Sequence, residues 1–244
     1  MPPSGNPVPI LENDMGITLN ITAIVELEIG IARQEKGYIR IGFYGETSPR
    51  SVEQMMAFCQ RGLVTSSKLL LEDGYGVTTS PIVLNEGGIL NRIYPGNALE
   101  FGIPNQGIAY AKERGMNKIG EDFVPQPRPS NFQEISEENS ARSHLVAGLI
   151  SIPKKGLGYG GNGFESEDEA FASSFQITAS AVPSMDKDDR KVIGQLMDDQ
   201  SMAFLARLAS LPTRKGFKGV VPGQNSGPPL LKTTLQVNTV SQNN

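Results

Sequence analysis

Two consecutive runs of alternating apolar and polar residues constrain the fold of this chain more than any other feature. They are ITAIVELEIGI (21–31) and GYIRIGFYG (37–45), separated by the polar stretch ARQEK. In the second run Ile39, Ile41 and Phe43 share one face of an extended chain, as a half-buried strand requires. The length and polarity of the intervening stretch predict a β-hairpin. We therefore expect antiparallel strands early in the core.

Glycine and proline content supports a mainly β chain. The 244 residues include 27 glycines and 17 prolines, and 38% are hydrophobic. This composition is typical of many turns and short strands around one core. We expect a single domain over residues 19–244, preceded by an extended, proline-rich arm over residues 1–18.

The scarcity of cysteine and histidine excludes several kinds of site. Cys59 is the only cysteine and His144 the only histidine, so an internal disulfide or a CxxC site is ruled out. A metal site built on several histidines is therefore excluded, and a Ser-His or Cys-His nucleophile pair would have to use His144. The net charge of -4 provides no basic surface for nucleic acid, and no run of 18 apolar residues predicts a transmembrane helix. We expect no cofactor and no metal.

Two segments have the periodicity of amphipathic helices. In TSPRSVEQMMAFCQRG (47–62), Pro49 suits the first turn, Thr47 or Ser48 can cap it, and Gly62 provides a left-handed stop. The predicted apolar face consists of Val52, Met55, Met56, Cys59 and Leu63. The second helix is predicted in DQSMAFLARLASLP, with Met202, Leu205, Leu208 and Ala209 on one face.

The remaining chain alternates predicted strands with long connections. Strands are predicted at HLVAGLISI (144–152), ASSFQITAS (172–180), RKVIGQLMD (190–198) and LLKTTLQVNTV (230–240). Long insertions are expected at 64–88, 102–143 and 212–229, irregular except for a strand at SPIVL. The acidic run Glu165, Glu167, Asp168 and Glu169 is interpreted as a solvated loop, with partner docking as the alternative.

Six motifs, in this order, resemble the cyclophilin family of peptidyl-prolyl cis-trans isomerases. GYIRIGFYGETSPRSVEQMMAFC is similar to the family's second strand and first helix, and LNRIYPG resembles its signature Phe-His-Arg-Ile-Ile-Pro-Gly-Phe. HLVAGLISI, SSFQIT and RKVIGQLMD resemble His-x-x-x-Gly-x-Leu-Ser-Met, Ser-Gln-Phe-Phe-Ile and His-Val-Val-Phe-Gly-Lys-Val, and LKTTLQV resembles the closing strand. The resemblance spans about residues 22–240. It implies a closed eight-stranded antiparallel β-barrel with two capping α-helices and long loop insertions.

The reaction implied by the resemblance needs neither a nucleophile nor a metal. It is rotation about an X-Pro bond, whose partial double-bond character creates a barrier of about 18–20 kcal/mol. The family's signature arginine donates a hydrogen bond to the prolyl nitrogen as amide resonance is lost. The matching residue is Arg92. The alternative is a structural arginine that holds the turn at Pro95 and Gly96.

The positions that match the family's peptide groove have changed. They are Asn91, Asn97, Ala98, Glu100, Lys154, Ser174, Gln176, Met185 and Arg190. Asn97 and Gln176 stand where the family has phenylalanines, and losing two aromatic walls costs about 3 kcal/mol or more of apolar burial. Glu100 can also pair with Arg92 and hold it away from a substrate. These changes predict weak or absent isomerase activity.

Three functional hypotheses follow. The first is a degenerate cyclophilin that binds a protein or a proline-containing peptide, as a scaffold or subunit of a larger complex, including a membrane-associated one. The second is an active prolyl isomerase that uses Arg92, and the residues leave open which of the two applies. The third is an unrelated β-barrel binding protein, which would lack the helix at 49–61. Similarity to plastid cyclophilins predicts the thylakoid lumen, with the cytoplasm as the alternative.

Overall fold

The computed structural model describes the chain in several stretches. The described residues are 11–60, 63–71, 74–104, 135, 137–154, 156–157, 171–188, 190–213 and 226–242. The predicted helix stop at Gly62, the segment 105–134 and the acidic run at 165–169 lie outside the described residues.

The described elements are mostly strands. The strands are β1 (Leu11–Glu12), β2 (Thr18–Leu19), β3 (Ala23–Ile31), β4 (Glu35–Phe43), β5 (Leu63–Leu71), β6 (Gly74–Ile82), β7 (Ile89–Tyr94), β8 (Ala98–Pro104), β9 (Leu149–Pro153), β10 (Phe171–Thr178), β11 (Arg190–Leu196) and β12 (Thr233–Gln242). The helices are α1 (Pro49–Gln60) and α2 (Asp199–Ala209), with short 3-10 helices at Leu84–Glu86 and Pro183–Asp186. Neither α1 nor α2 is long and apolar enough to span a membrane.

Eight of the described strands form one antiparallel sheet that curls into a nearly closed barrel. Their order is β12-β3-β4-β11-β9-β10-β8-β7. The two end strands approach each other where the Leu235 N–H donates to the carbonyl of Gly88 at 3.1 Å. The predicted mainly β barrel with two helices is therefore confirmed, and a nearly closed sheet leaves little exposed strand edge.

The β3–β4 hairpin supplies one wall of the core, as its alternating pattern predicts. Every second residue of β3 is buried, and Leu27 pairs with Ile39 across the hairpin. The turn uses left-handed conformations at Ala32 (φ 51°) and Arg33 (φ 62°), which suit the right-handed twist of a hairpin. Burial of each large aliphatic side chain contributes about 1.5–3 kcal/mol, so this hairpin is a main source of stability.

Helix α1 has the predicted start and apolar face, but a different capping group. Its N-terminal amides of Arg50 and Ser51 donate to the carboxylate of Glu138 at 2.5 and 3.0 Å. Ser48 stands at the predicted cap position, since its carbonyl accepts the first helical bond from the Val52 N–H at 3.0 Å. Its hydroxyl donates to the carbonyl of Asn139 at 3.3 Å, so the carboxylate that caps the amides comes from Glu138. A remote carboxylate satisfies two amides at once and matches the positive end of the helix dipole.

The same carboxylate neutralises a buried lysine. Lys191 is fully buried on β11, and its Nζ donates to the carbonyl of Ile135 at 2.5 Å and lies 3.4 Å from Glu138 Oε2. Burial lowers the pKa of Lys191 from its ordinary value, against the opposing charge of Glu138. Glu138 therefore joins α1, β11 and the segment before β9 in one buried polar contact.

Three regions differ from the predictions. The segment expected to be irregular contains β5 and β6, which form a separate two-stranded sheet. Leu63, predicted on the helix face, begins β5, and the strand predicted from His144 begins only at Leu149. Residues 11–19 form a small hairpin, in which Asp14 accepts hydrogen bonds from the backbone and hydroxyl of Ser143.

Both predicted helices are present. Helix α1 contradicts the hypothesis of an unrelated barrel without a helix at this point of the chain. Helix α2 is capped by Asp198, whose carboxylate accepts from the Ser201 N–H at 2.7 Å. Its predicted face is inside, with Leu205 and Leu208 buried against the barrel.

Removal of the Glu138 charge should destabilise the fold strongly. Glu138→Gln leaves Lys191 buried without a counter-charge, and breaking a buried pair in this way costs about 3–5 kcal/mol in the free energy of unfolding. Chemical denaturation of Glu138→Gln, Lys191→Met and the double variant measures the effect. The double variant should recover most of the loss, because no buried charge is then left unpaired.

An exposed pair provides the control for this experiment. Arg50 and Glu53 lie 3.5 Å apart on the surface of α1, and Glu53→Gln should change the free energy of unfolding by less than about 0.5 kcal/mol. A Glu138→Gln protein as stable as the wild type would contradict the assignment of a buried, coupled pair.

Candidate functional site

The turn between β7 and β8 is held from two sides. The Asn97 N–H donates to the carbonyl of Tyr94 at 2.9 Å, and Gly96 has a φ of 73°, as the third position of a type II turn requires. From the end of β10, the Ala179 N–H donates to the carbonyl of Asn97 at 2.7 Å and the Ser180 hydroxyl donates to the carbonyl of Gly96. The strand end that carries Arg92 is thus fixed to its neighbours.

A row of polar side chains crosses the outer face of the barrel. Arg92 pairs with Glu100, Glu100 with Gln176, and Gln176 with Ser151. Directly paired residues point to the same face of a sheet, and the alternate residue Phe175 lies in the core. We call Arg92, Glu100, Gln176 and Ser151 the polar row. It spans four strands spaced about 4.8 Å apart.

Tyr94 connects the two charges at one end of the polar row. It lies two residues after Arg92, on the same face of β7, and its hydroxyl donates to Glu100 Oε2 at 2.9 Å. The Arg92 Cζ lies 5.7 Å from the centroid of the Tyr94 ring, in a cation–π contact. Burial raises the pKa of Tyr94 to about 12, and the charge of Glu100 adds to this rise. Glu100 thus accepts a hydrogen bond from Tyr94 and also lies directly opposite Arg92 on the neighbouring strand.

An apolar patch lies beside Tyr94. Ala98, Val182 and Met185 are buried together, and the half-buried Tyr94 packs against them. Of the predicted groove positions, Ala98 and Met185 therefore form the base of this patch. The 3-10 helix Pro183–Asp186 brings Met185 to the barrel wall.

A chain of hydrogen bonds holds Arg190 at the other end of the polar row. Arg190 Nε donates to Ser151 Oγ at 3.2 Å and Arg190 Nη2 donates to the Ser151 carbonyl at 2.8 Å. Ser151 Oγ lies 2.9 Å from His144 Nε2, and His144 Nδ1 lies 2.5 Å from Asp186 Oδ1. We call Asp186, His144, Ser151 and Arg190 the His144 network.

The hydrogen-bond partners in the His144 network determine which group donates and which accepts in each bond. Since the carboxylate of Asp186 can only accept, His144 donates to it from Nδ1. On a neutral ring Nε2 then accepts the proton of the Ser151 hydroxyl, and Ser151 Oγ in turn accepts from Arg190 Nε. Burial lowers the pKa of His144 from its ordinary value, against the opposing effect of Asp186, so the neutral ring that this pattern needs is favoured.

The His144 network has the residue types of a Ser-His-Asp triad but not the accessibility of one. Ser151 and His144 are both fully buried, and Ser151 Oγ already accepts from Arg190. A nucleophile must reach a substrate, so we interpret the network as structural. Both ring nitrogens of the buried His144 have hydrogen-bond partners within the fold.

The described residues also contain no other candidate nucleophile site and no candidate metal site. Burial raises the pKa of the Cys59 thiol to about 12, and the thiolate is the reactive form. Among the described residues, no group of three or more histidine, cysteine, aspartate or glutamate side chains could hold a metal ion.

The other predicted groove residues are dispersed. Asn97 is exposed at the turn, and Ser174 and Lys154 are half-buried on β10 and just after β9. Asn91 is 3% exposed, at a bulge in the β7–β8 pairing, and neither atom of its amide has a hydrogen-bond partner in the structure. The structure thus joins Arg92, Glu100 and Gln176 in the polar row, with Arg190 held at its Ser151 end. It leaves Asn97, Ser174, Lys154 and Asn91 apart from them.

Three residues of the site were not predicted. Tyr94 has a detectable signal, because a strand of period two places it on the same face as Arg92. Ser151 and Asp186 have none, because their contacts depend on packing between segments that are distant in the sequence.

Comparison with known families provides one match. The family model described as cyclophilin type peptidyl-prolyl cis-trans isomerase/CLD matches residues 25–226, from β3 to the segment just before β12. A comparison with curated proteins found no match.

The burial of His144 predicts a pH dependence of stability. Because its pKa is lower in the folded than in the unfolded chain, the unfolded chain binds more protons near the ordinary histidine pKa. The contribution of His144 to stability is therefore fully present above about pH 7. As the pH falls, the free energy of unfolding decreases by at most about 1.4 kcal/mol per pH unit for one proton. Denaturant unfolding between pH 8 and 5 measures it.

The single histidine makes this test specific. His144→Gln should show a flatter profile over the same range, since the chain has no second imidazole. An NMR titration of the ring reports its pKa directly. A ring that titrates in the folded protein at or above the ordinary value would refute the prediction.

Proposed function

We propose, because this chain belongs to the family of cyclophilin-type peptidyl-prolyl cis-trans isomerases, that it acts mainly by binding proline-containing segments of other proteins and isomerises them weakly or not at all. The observation that carries this proposal is the unit formed by Arg92, Tyr94 and Glu100. The cation that the family uses in catalysis lies against a side chain of its own strand.

Catalysis would require Arg92 to leave this contact. A donor lowers the barrier when it is already aimed at the prolyl nitrogen, and a cation–π contact stabilises the guanidinium elsewhere by about 0.5–2 kcal/mol. An additional 3 kcal/mol or so of apolar burial is absent where Asn97 and Gln176 replace aromatic walls. Both effects lower the rate, and the lost burial is the larger.

Binding remains compatible with the same surface. The half-buried Tyr94, supported from below by the buried patch, presents apolar area, and the polar row supplies hydrogen-bonding groups next to it. The separate β5–β6 hairpin also has strand edges, to which another chain can add a strand. These features support a role as a scaffold or subunit of a larger complex.

The alternative is an active isomerase. It is favoured by the position of Arg92, which is half-buried on the outer face, next to a turn that is fixed at both ends. A substrate that displaces Tyr94 would then find the guanidinium within reach.

A protease-coupled isomerisation assay on a proline tetrapeptide distinguishes the two functions. We expect the wild type to accelerate the uncatalysed rate by no more than about threefold, since the donor is engaged and the pocket walls are polar. Arg92→Ala should give the same rate. Arg207→Ala is the control, because Arg207 is an exposed arginine paired with Glu35 at 2.9 Å. A strong acceleration that is lost in Arg92→Ala and kept in Arg207→Ala would establish the isomerase instead.

Restoring the pocket should restore activity. Tyr94→Ile, the residue of the family motif, releases Arg92, and Gln176→Phe rebuilds an aromatic wall. We expect the double variant to be at least about tenfold faster than the wild type in the same assay, and a further Arg92→Ala change should abolish the gain. A folded double variant that binds the peptide but shows no gain would refute our explanation of the weak activity.

A further inference from the structure

Among the described residues, Arg190 is a half-buried cation that forms no ion pair with a carboxylate. Its two hydrogen bonds both go to Ser151, and it takes part in none of the ion pairs between described residues. A guanidinium has five N–H donors, so three of them remain available. Glu100 and Asp188 act on this charge without an ion pair to it, and a buried charge without a direct partner is costly, so the unused donors suit an anionic group from outside.

The charge of Arg190 persists at neutral pH. Burial lowers its pKa to about 10, against the opposing effects of Glu100, Tyr94 and Asp188. Glu100, the acid of the polar row, accepts its hydrogen bond from Tyr94. The row and Arg190 together contain two cations and one carboxylate, in a chain whose net charge is -4.

Arg190 is also fixed in position. Its Nε is held by Ser151, whose hydroxyl is oriented by His144, and His144 is anchored by Asp186. A side chain locked by such a network loses little conformational entropy on binding. Ser151 and His144 are thus positioning residues, and they keep the guanidinium on the polar row.

We propose that this groove selects proline-containing segments that also contain an acidic residue, whose carboxylate binds the guanidinium of Arg190. The inference rests on the proposed function, because it concerns which proline segments the groove takes. A planar fork of N–H donors matches the two oxygens of a carboxylate.

The geometry limits where the acidic residue lies relative to the proline. Arg92, which matches the arginine that the family aims at the prolyl nitrogen, is three strands away from Ser151 in the row, a distance of about 14 Å at about 4.8 Å per strand. An extended peptide advances about 3.3 Å per residue, so the acidic residue lies within about four residues of the proline.

The test is a set of fluorescent peptides with one proline and a glutamate at each position from four before to four after it. Each peptide has a matched glutamine version, which keeps the shape and removes the charge. We expect the glutamate peptide to bind the wild type at least about fivefold more tightly at one position or two adjacent positions, with a ratio that decreases as salt rises.

Three variants assign the preference to Arg190. Arg190→Gln should bring the ratio of glutamate to glutamine affinities to about one, and Arg190→Lys should keep part of it, since the charge remains without the fork. Ser151→Ala keeps the charge and removes one anchor, so the ratio should fall partly. Arg207→Gln, the surface control, should leave it unchanged. Thermal denaturation of each variant shows that it is folded.

The failures of the two proposals are distinguishable. Equal binding of glutamate and glutamine peptides at every position would overturn the acidic preference and leave the proposed function standing. A preference that persists in both Arg190→Gln and Arg190→Lys would overturn the assignment to Arg190. No binding of any proline peptide by the folded wild type would overturn the proposed function itself, and with it this inference.

Discussion

The antiparallel register of β7, β8, β10 and β9 is the constraint on which the site depends. A slip of one residue in any of these pairings would turn the polar row toward the core and an apolar set toward solvent. The buried Phe101 and Phe175 rings stack with centroids 5.6 Å apart, so packing inside the barrel holds the row outside it. The functional face is therefore a consequence of the core.

Polar contacts between segments that are distant in the sequence position further groups of the structure, in addition to the strand register. Glu138 caps α1 and neutralises Lys191, and Asp186 orients Arg190 through His144 and Ser151. In both cases a loop brings an acid to a group that the barrel has buried. These contacts are costly to break one partner at a time, and they explain how a nearly closed barrel keeps charged groups inside and at its wall.

Membership of the isomerase family and the geometry of the site favour different functions. The family places an arginine beside a proline pocket, and the structure has that arginine on the outer face of β7. Tyr94, however, holds it in a cation–π contact, and the pocket walls are polar. The proposed function, binding of proline segments with little or no isomerisation, rests on this combination of an engaged arginine and polar walls.

Local patterns in the sequence determined the β3–β4 hairpin, both helices and the order of most barrel strands, because periodicities of 2 and 3.6 residues are set by burial on one face. The family motifs also predicted Arg92, Glu100 and Gln176 as groove residues, and the structure places these three side by side on the outer face. The β5–β6 hairpin was missed, since LVTSSKLLL has no regular alternation. Only the tertiary structure decided the cap of α1 by Glu138 and the anchoring of Arg190 by Ser151. These contacts, of Ser51 with Glu138 and of Arg190 with Ser151, join residues 87 and 39 positions apart. No local pattern encodes which distant side chains a packed barrel brings within hydrogen-bond distance.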